Sequence, residues 1–322
     1  MRRRLVIALA STAAAPGALG QAKPRRIGYL VGGSQEAFAA PLDRLREGLR
    51  RLGYEEGRAI VIEYKFAQEK PERLPGLAAE LVKSGVDLIV AHGTPETQAA
   101  KGATSSIPIV MLATADPVGA GLVSNLSRPG GNITGLSNLD VGLAAKRLEL
   151  MKDILPKLSR IAVLRNPANP SGVLQYRDTQ AAAKTFGITP QLYDVHSPAE
   201  VENAFKAMPN AKVGAVTAMA DPVFLSWRKQ IAQLAIAQHL PSYFARNENV
   251  EAGGLISYGP SNAALYAQGA GFVDRIFRGA KPGDLAIEQP SKFDLVINVS
   301  TAKAIGVTIP KAVEFRADRL IQ

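Results

Sequence analysis

From Lys23 onward, short β-branched runs alternate with longer stretches whose apolar residues recur at helical spacing. That order predicts crossover units and parallel sheets, because an amphipathic helix after each strand returns the chain to the same end of the sheet. The first half predicts strands over 26–31, 59–66, 87–91 and 108–113, with helices over 41–52, 72–84 and 95–101 between them. Gly53, Gly57, Gly85 and Gly93 fit the turns that join such elements. A strand over 132–137 and a helix over 143–155 lead into a second round, with strands over 160–164, 190–195 and 213–219 and helices over 171–186, 199–207 and 224–239. The second half repeats the plan of the first.

After Gly253-Gly254 come an extended run at 255–258, a helix over 262–278, a turn at 281–284, an extended stretch at 293–298 and a helix over 301–306. These are too few for a third domain and read as completions of two sheets, the chain crossing between lobes more than once. The expected division is a leader at 1–22, one lobe from 23–137 plus 256–289, and a second from 138–255 plus 290–322. The tetrapeptide Ala115-Asp116-Pro117-Val118 returns as Ala220-Asp221-Pro222-Val223, each copy at a strand's carboxyl end. Asp at an N-cap followed by Pro in the first turn is good capping chemistry. The echo therefore predicts two equivalent strand ends in two similar lobes.

A chain of 322 residues exceeds what one core usually serves, which agrees with two lobes. Its start has the three parts of an export signal: Arg2, Arg3 and Arg4, the short apolar run 5–15, and small residues after Pro16-Gly17. The run is too brief to span a bilayer, and cleavage is expected near Gly20 or Ala22. With no cysteine there is neither a disulfide framework nor a lipid attached to an N-terminal thiol, so a periplasmic monomer is expected. Subtracting the three leader arginines from the net charge of +10 leaves +7. The remaining basic residues are interspersed with acids, as in Arg44-Leu45-Arg46-Glu47, and form no basic stripe with interleaved aromatics, which argues against nucleic acid.

Open parallel α/β sheets bind ligands outside the carboxyl ends of their strands, where loop amides and helix N-termini converge. The candidate contacts there are Gly33, Ser34, Gly93, Thr94, Asp116, Asn166, Asp221, Phe244 and Tyr258. The glycines admit backbone N–H groups, Ser34 and Thr94 carry hydroxyls, a helix N-terminus favours an anion, and a carboxylate can meet an ammonium. Phe244 and Tyr258 can pack on an apolar portion. Each has a plainer reading, as turn, cap or core. Gly-x-Ser-x-Gly, a phosphate loop and Gly-x-Gly-x-x-Gly after the first strand are absent, so no catalytic residue is assigned. His92, His196 and His239 lack the spacing of a metal site, and neither a metal nor a cofactor is expected. His92 on a strand-end loop is placed to touch a ligand but is read first as capping or bonding to backbone, the other two as surface or element-end residues.

The stretches Ile107-Pro108-Ile109-Val110 leading to Asp116-Pro117-Val118, Leu126-Ser127-Arg128-Pro129-Gly130-Gly131-Asn132-Ile133-Thr134-Gly135, Gly253 to Gly259, and Asn298 to Pro310 resemble the substrate-binding proteins of ABC-type transport systems, whose characterised relatives include tryptophan- and tyrosine-binding proteins. The resemblance implies a type I periplasmic-binding-protein fold: two Rossmann-like lobes joined by a multi-strand hinge that is crossed three times. It also implies a small organic ligand, an amino acid or aromatic carboxylate, held between the lobes and passed to a permease with its ATPase. Two other readings compete: an α/β enzyme using Asp116 or Asp221 as acid or base, and a ligand-sensing module that docks on a receptor.

Overall fold

The computed structural model describes residues 23–322, so the expected leader at 1–22 lies outside the described residues. In chain order, the first run of elements is β1 (Arg25–Val31), α1 (Gln35–Arg51), β2 (Ile60–Phe66), α2 (Leu74–Ser84), β3 (Leu88–His92), α3 (Thr94–Ala103), β4 (Ile109–Thr114) and β5 (Ile133–Ser137). The second is α4 (Ala144–Ile154), β6 (Arg160–Arg165), α5 (Ser171–Thr185), β7 (Thr189–Asp194), α6 (Pro198–Ala211), β8 (Ala215–Ala218), α7 (Pro222–Ser226), α8 (Arg228–Ala237), β9 (Ser242–Phe244), α9 (Asn247–Glu251) and β10 (Ile256–Gly259). There follow α10 (Asn262–Phe277), β11 (Asp294–Asn298), α11 (Val299–Ala304), α12 (Lys311–Phe315) and β12 (Arg319–Ile321).

The first sheet runs β2-β1-β3-β4-β5 and is parallel throughout. The second runs β12-β11-β10-β9-β8-β6-β7; its stretch β7-β6-β8-β9-β10 is parallel and has the same order as the first sheet, and β11 pairs antiparallel to β10. Central strands such as β3 and β4 are buried along their whole length, which is why they read as unbroken apolar runs. Helices cover both faces of each sheet, giving two separate pairs of cores.

Three corrections to the sequence reading have physical causes. Helix α1 starts at Gln35, not near Pro41, because Ser34 caps it by accepting from the Ala37 N–H at 3.3 Å; Pro41 then lies inside the helix, against the usual first-turn preference. The helix expected over 224–239 is two helices meeting at Trp227, the first started by Asp221 with Pro222 behind it. The strand Ile256–Gly259, assigned from sequence to the first lobe, pairs in the second sheet, with Ile256 opposite Ile297 and Tyr258 opposite Leu295. The crossing back comes after it, where α10 returns to pack on α1; a Cβ on Gly48 would stand 2.8 Å from the Ala270 methyl, so glycine is what permits that approach. The chain passes between sheets after β5, after β10 and before β11.

Candidate ligand-binding cleft

In a 2-1-3-4-5 sheet the loops after the first and third strands leave in opposite directions and open a crevice between them. One sheet places Gly32-Gly33-Ser34 and His92-Gly93-Thr94 there, the other Asn166–Asn169 and Ala220-Asp221-Pro222. The two crevices meet. Pro222, at the start of α7, enters the crevice of the first sheet, where a Cβ on Gly33 would stand 2.8 Å from the Pro222 carbonyl oxygen and one on Gly93 3.2 Å from Pro222 Cγ. Around this contact the Ser34 N–H donates to Ser226 Oγ at 3.0 Å, and Lys229 pairs with Glu36 at 3.1 Å.

Beside that contact lies a narrow cavity, partly open to solvent. Its first wall is His92, Gly93, Thr94, Ala113, Ala115 and Asn138; its second includes Asn169, Ser171, Ala218 to Pro222, Phe224 and Leu225; Ala245, Arg246, Asn249 and Asn262 close it. Asp221 is held rigidly. Its carboxylate accepts from Asn169 at 2.8 Å, Asn166 at 3.2 Å and the Val223 N–H at 2.7 Å, while burial pushes its pKa above the ordinary carboxylate range. Arg246 donates through both Nη atoms to Asp140, to which Arg147 also donates at 3.1 Å. Two buried guanidiniums therefore share one buried carboxylate, leaving a net positive charge at the cavity edge.

His92 is held near pKa 3 by burial and by Arg246, so it is neutral. Its Nδ1 lies 2.9 Å from the Tyr266 hydroxyl, which lies 2.8 Å from that of Tyr29, a side-chain chain rather than the backbone bond expected from sequence. Ala113 adopts φ +51°, a left-handed conformation costly for a residue with a Cβ, at a register shift of β4 against β5. Asn138 holds it there by donating to its carbonyl at 2.6 Å, so the strain sits on the cavity wall.

Among the residues proposed from sequence, Gly93, Thr94 and Asp221 line the cavity. Gly33 and Ser34 stand at the interlobe contact beside it, and Asn166 reaches it only through Asp221. Asp116 is elsewhere: it follows β4, whereas Asp221 follows β8, whose counterpart in the shared strand order is β3. The repeated tetrapeptide is thus an echo of sequence and not of topology. Asp116 caps no helix; with φ +35° it accepts from the Gly119 N–H at 2.9 Å and closes a turn. Phe244 lies in a core, and Tyr258 packs against Phe293, offering only its carbonyl, to Arg147 at 2.8 Å. The sequence reading missed Arg246, Asn138, Asn169, Asn249 and Asn262. Of these only Asn169 had a local signal, the Asn-Pro-Ala-Asn loop after β6.

No helix among the described residues is long and apolar enough to cross a membrane, and none of their His, Asp and Glu side chains cluster to hold a metal. The family model for ABC transporter substrate binding proteins matches residues 29–321. A tyrosine-binding protein of Clostridioides difficile is 29% identical over 281 residues, covering 86% of this chain and 81% of that protein. The crystal structure of an ABC domain in complex with L-Trp from Streptococcus pneumoniae superposes with a TM-score of 0.86 at 28% identity, covering 93% of this chain and all of that one (100%). The ligand-free, open structure of a Clostridium difficile substrate-binding protein, at 26% identity and covering 92% of this chain and 99% of that one, reaches only 0.65. At nearly equal identity, a lower score against an open form is what rigid lobes in a closed arrangement produce. With the type I periplasmic-binding fold and a cavity walled by both lobes, the chain belongs to the ABC transporter substrate-binding protein family.

Proposed function

We propose that this protein captures an amino acid between its lobes and delivers it, outside the cytoplasm, to an ABC permease with its ATPase. The lobes are residues 23–137 with 260–289 and residues 138–259 with 290–322, acting as a monomer after loss of the leader. The observation that carries the reading is one cavity with an anion and a net cation on its edge: Asp221 for the ligand's ammonium, and Arg246, one of two guanidiniums sharing Asp140, for its carboxylate. The printed ligands of two relatives, tyrosine and L-Trp, support the same class. The enzyme reading offered Asp116 or Asp221 as acid or base; of the two only Asp221 faces the cavity, where its carboxylate already accepts from Asn169, Asn166 and the Val223 N–H.

The test is thermal melting against a panel of L-amino acids. At least one is expected to raise the melting temperature in a concentration-dependent way, amounting to about 2.7 kcal/mol at a hundredfold excess over Kd. Asp221→Asn, which keeps the cap, is expected to weaken binding of that ligand by roughly tenfold or more, as for one hydrogen bond to a charged group. A panel in which no L-amino acid shifts the transition sinks the proposal.

A further inference from the structure

His92, the last residue of β3, lines the cavity from the first lobe, and the core behind it holds its ring. Phe38 meets the ring edge-on at 4.8 Å between centroids, and Tyr266 from α10 lies at 5.4 Å. Nδ1 is turned inward, 2.9 Å from the Tyr266 hydroxyl, which in turn lies 2.8 Å from the hydroxyl of Tyr29, wholly buried on β1. Nε2, on the opposite edge of the ring, is left to the cavity and has no hydrogen-bond partner among the described residues.

The hydroxyl chain decides which ring nitrogen carries the proton. A neutral imidazole has one N–H and one lone pair. With the proton on Nδ1, the ring donates to Tyr266, Tyr266 donates to Tyr29, and the Tyr29 hydrogen is left in the core without an acceptor. In the reverse order Tyr29 donates to Tyr266 and Tyr266 to Nδ1, so every hydrogen of the chain is used and only a phenol lone pair is spare. A buried donor without a partner is the costlier deficit. The proton therefore sits on Nε2, and two buried phenols preset a neutral donor on the cavity wall.

We propose that His92 donates its Nε2 hydrogen to the carboxylate of the ligand, so that one carboxylate is held by His92 of the first lobe and Arg246 of the second and bridges the two. The proposal rests on the amino-acid reading of the cleft. Arg246 lines the same cavity, and its charge acts on the His92 ring. An N–H donor beside a guanidinium suits an anion and repels the ligand's ammonium, which stays with Asp221. Being uncharged, the donor adds no second cation for the empty cleft to bury. Tyr266 and Tyr29 are positioning residues that act through the imidazole. A bound water is the competing partner of Nε2.

NMR of the full chain with ¹⁵N-labelled histidine reads the ring in the wild type, with three histidines to assign. At pH 7 the His92 ring is expected in the Nε2–H form. Saturation with the L-amino acid that gives the largest melting shift is expected to move the Nε2–H proton downfield and slow its exchange with solvent. Tyr266→Phe, which removes the hydroxyl on Nδ1, is expected to mix the two tautomers, and Tyr29→Phe, which leaves that hydroxyl, to keep the Nε2–H form; phenols that only pack would alter neither. In calorimetric titration His92→Phe is expected to weaken that amino acid and its amino-free counterpart alike, for L-tyrosine 3-(4-hydroxyphenyl)propionate, by about tenfold or more, and His92→Gln, which returns a donor, to recover part of the loss. If His92→Phe does not fold, the wild-type NMR titration decides alone. A ring in the Nδ1–H form, or a ring whose resonances saturating ligand leaves unmoved, overturns the inference and leaves the cleft reading intact, as does a folded His92→Phe that binds within twofold of wild type. If no amino acid binds but an amino-free acid does, with the same loss in His92→Phe, the His92 contact stands and the amino-acid reading falls. Absence of binding by either class removes both.

Discussion

Glu96, on the first turn of α3, is wholly buried between the ends of β1 and β3, accepting from the Gly32 N–H at 2.6 Å with its second oxygen unpartnered among the described residues. Burial raises its pKa from 4.5 to about 8, so the folded protein carries it protonated at neutral pH. Between about 4.5 and about 8 the unfolded chain has released this proton and the folded chain keeps it, so stability is full below the lower value and declines as pH rises towards the upper. The slope from this one group is at most about 1.4 kcal/mol per pH unit. Glu96→Gln keeps the acceptor for Gly32 and cannot ionise. Its stability, measured by urea unfolding from pH 5 to pH 8, is expected to fall less steeply than that of the wild type; parallel curves would show that Glu96 titrates alike in both states. Nothing local in Thr94-Pro95-Glu96-Thr97 marks this glutamate as buried. The neighbours that bury it, Gly32 and Pro222, are distant in sequence, and for the same reason Arg246 went unseen, its partner Asp140 being 106 positions away.

The start of α7 and the glycine loops of the first sheet form the contact on which closure depends. Gly33→Ala would put a methyl 2.8 Å from both the Pro222 carbonyl oxygen and Ser226 Oγ, a clash that exists only with the lobes together; Phe38, within its own lobe, must also shift. Ser226→Ala removes the acceptor of the Ser34 N–H. Both variants are expected to weaken ligand binding, Ser226→Ala by several-fold, in proportion to about 1 kcal/mol of hydrogen bond. Equal affinities in wild type and both variants, by titration with one ligand, would place the closing contact elsewhere. A different element secures the first lobe: α10 buries Leu265, Tyr266, Phe272 and Val273 in its core from a distant part of the chain. Phe272→Ala is expected to destabilise by about 3–5 kcal/mol in urea unfolding. Long elements were legible because their periodicity spans several turns or an unbroken apolar run. β9, α9 and β12 were not, since three to five residues carry no period to read. β9 mattered most, because it ends beside Ala245 and Arg246, and successive residues there alternate face: Phe244 points into the core while Ala245 lines the cavity.

As a whole, the molecule is two copies of one strand order facing each other, and the repeated alternation of strands and helices announced that duplication. What the alternation could not give is which strand ends coincide. The Asp-Pro echo pointed to β4 and β8, while topology pairs β8 with β3, so α7 faces the β1–β3 crevice and Asp116 is left outside. Closure then has a physical content: the closed state buries Pro222 against glycine backbone and sets the first lobe's wall over two buried guanidiniums that share one carboxylate within the second lobe, a charge arrangement that an anionic group completes. A ligand stabilises that state only by its difference in contacts between open and closed forms. Small-angle X-ray scattering through a titration with the amino acid selected by melting tests this directly. The radius of gyration is expected to fall with added ligand and to level off at the concentration where the melting shift reports saturation. Saturable binding with an unchanged radius of gyration would contradict the account.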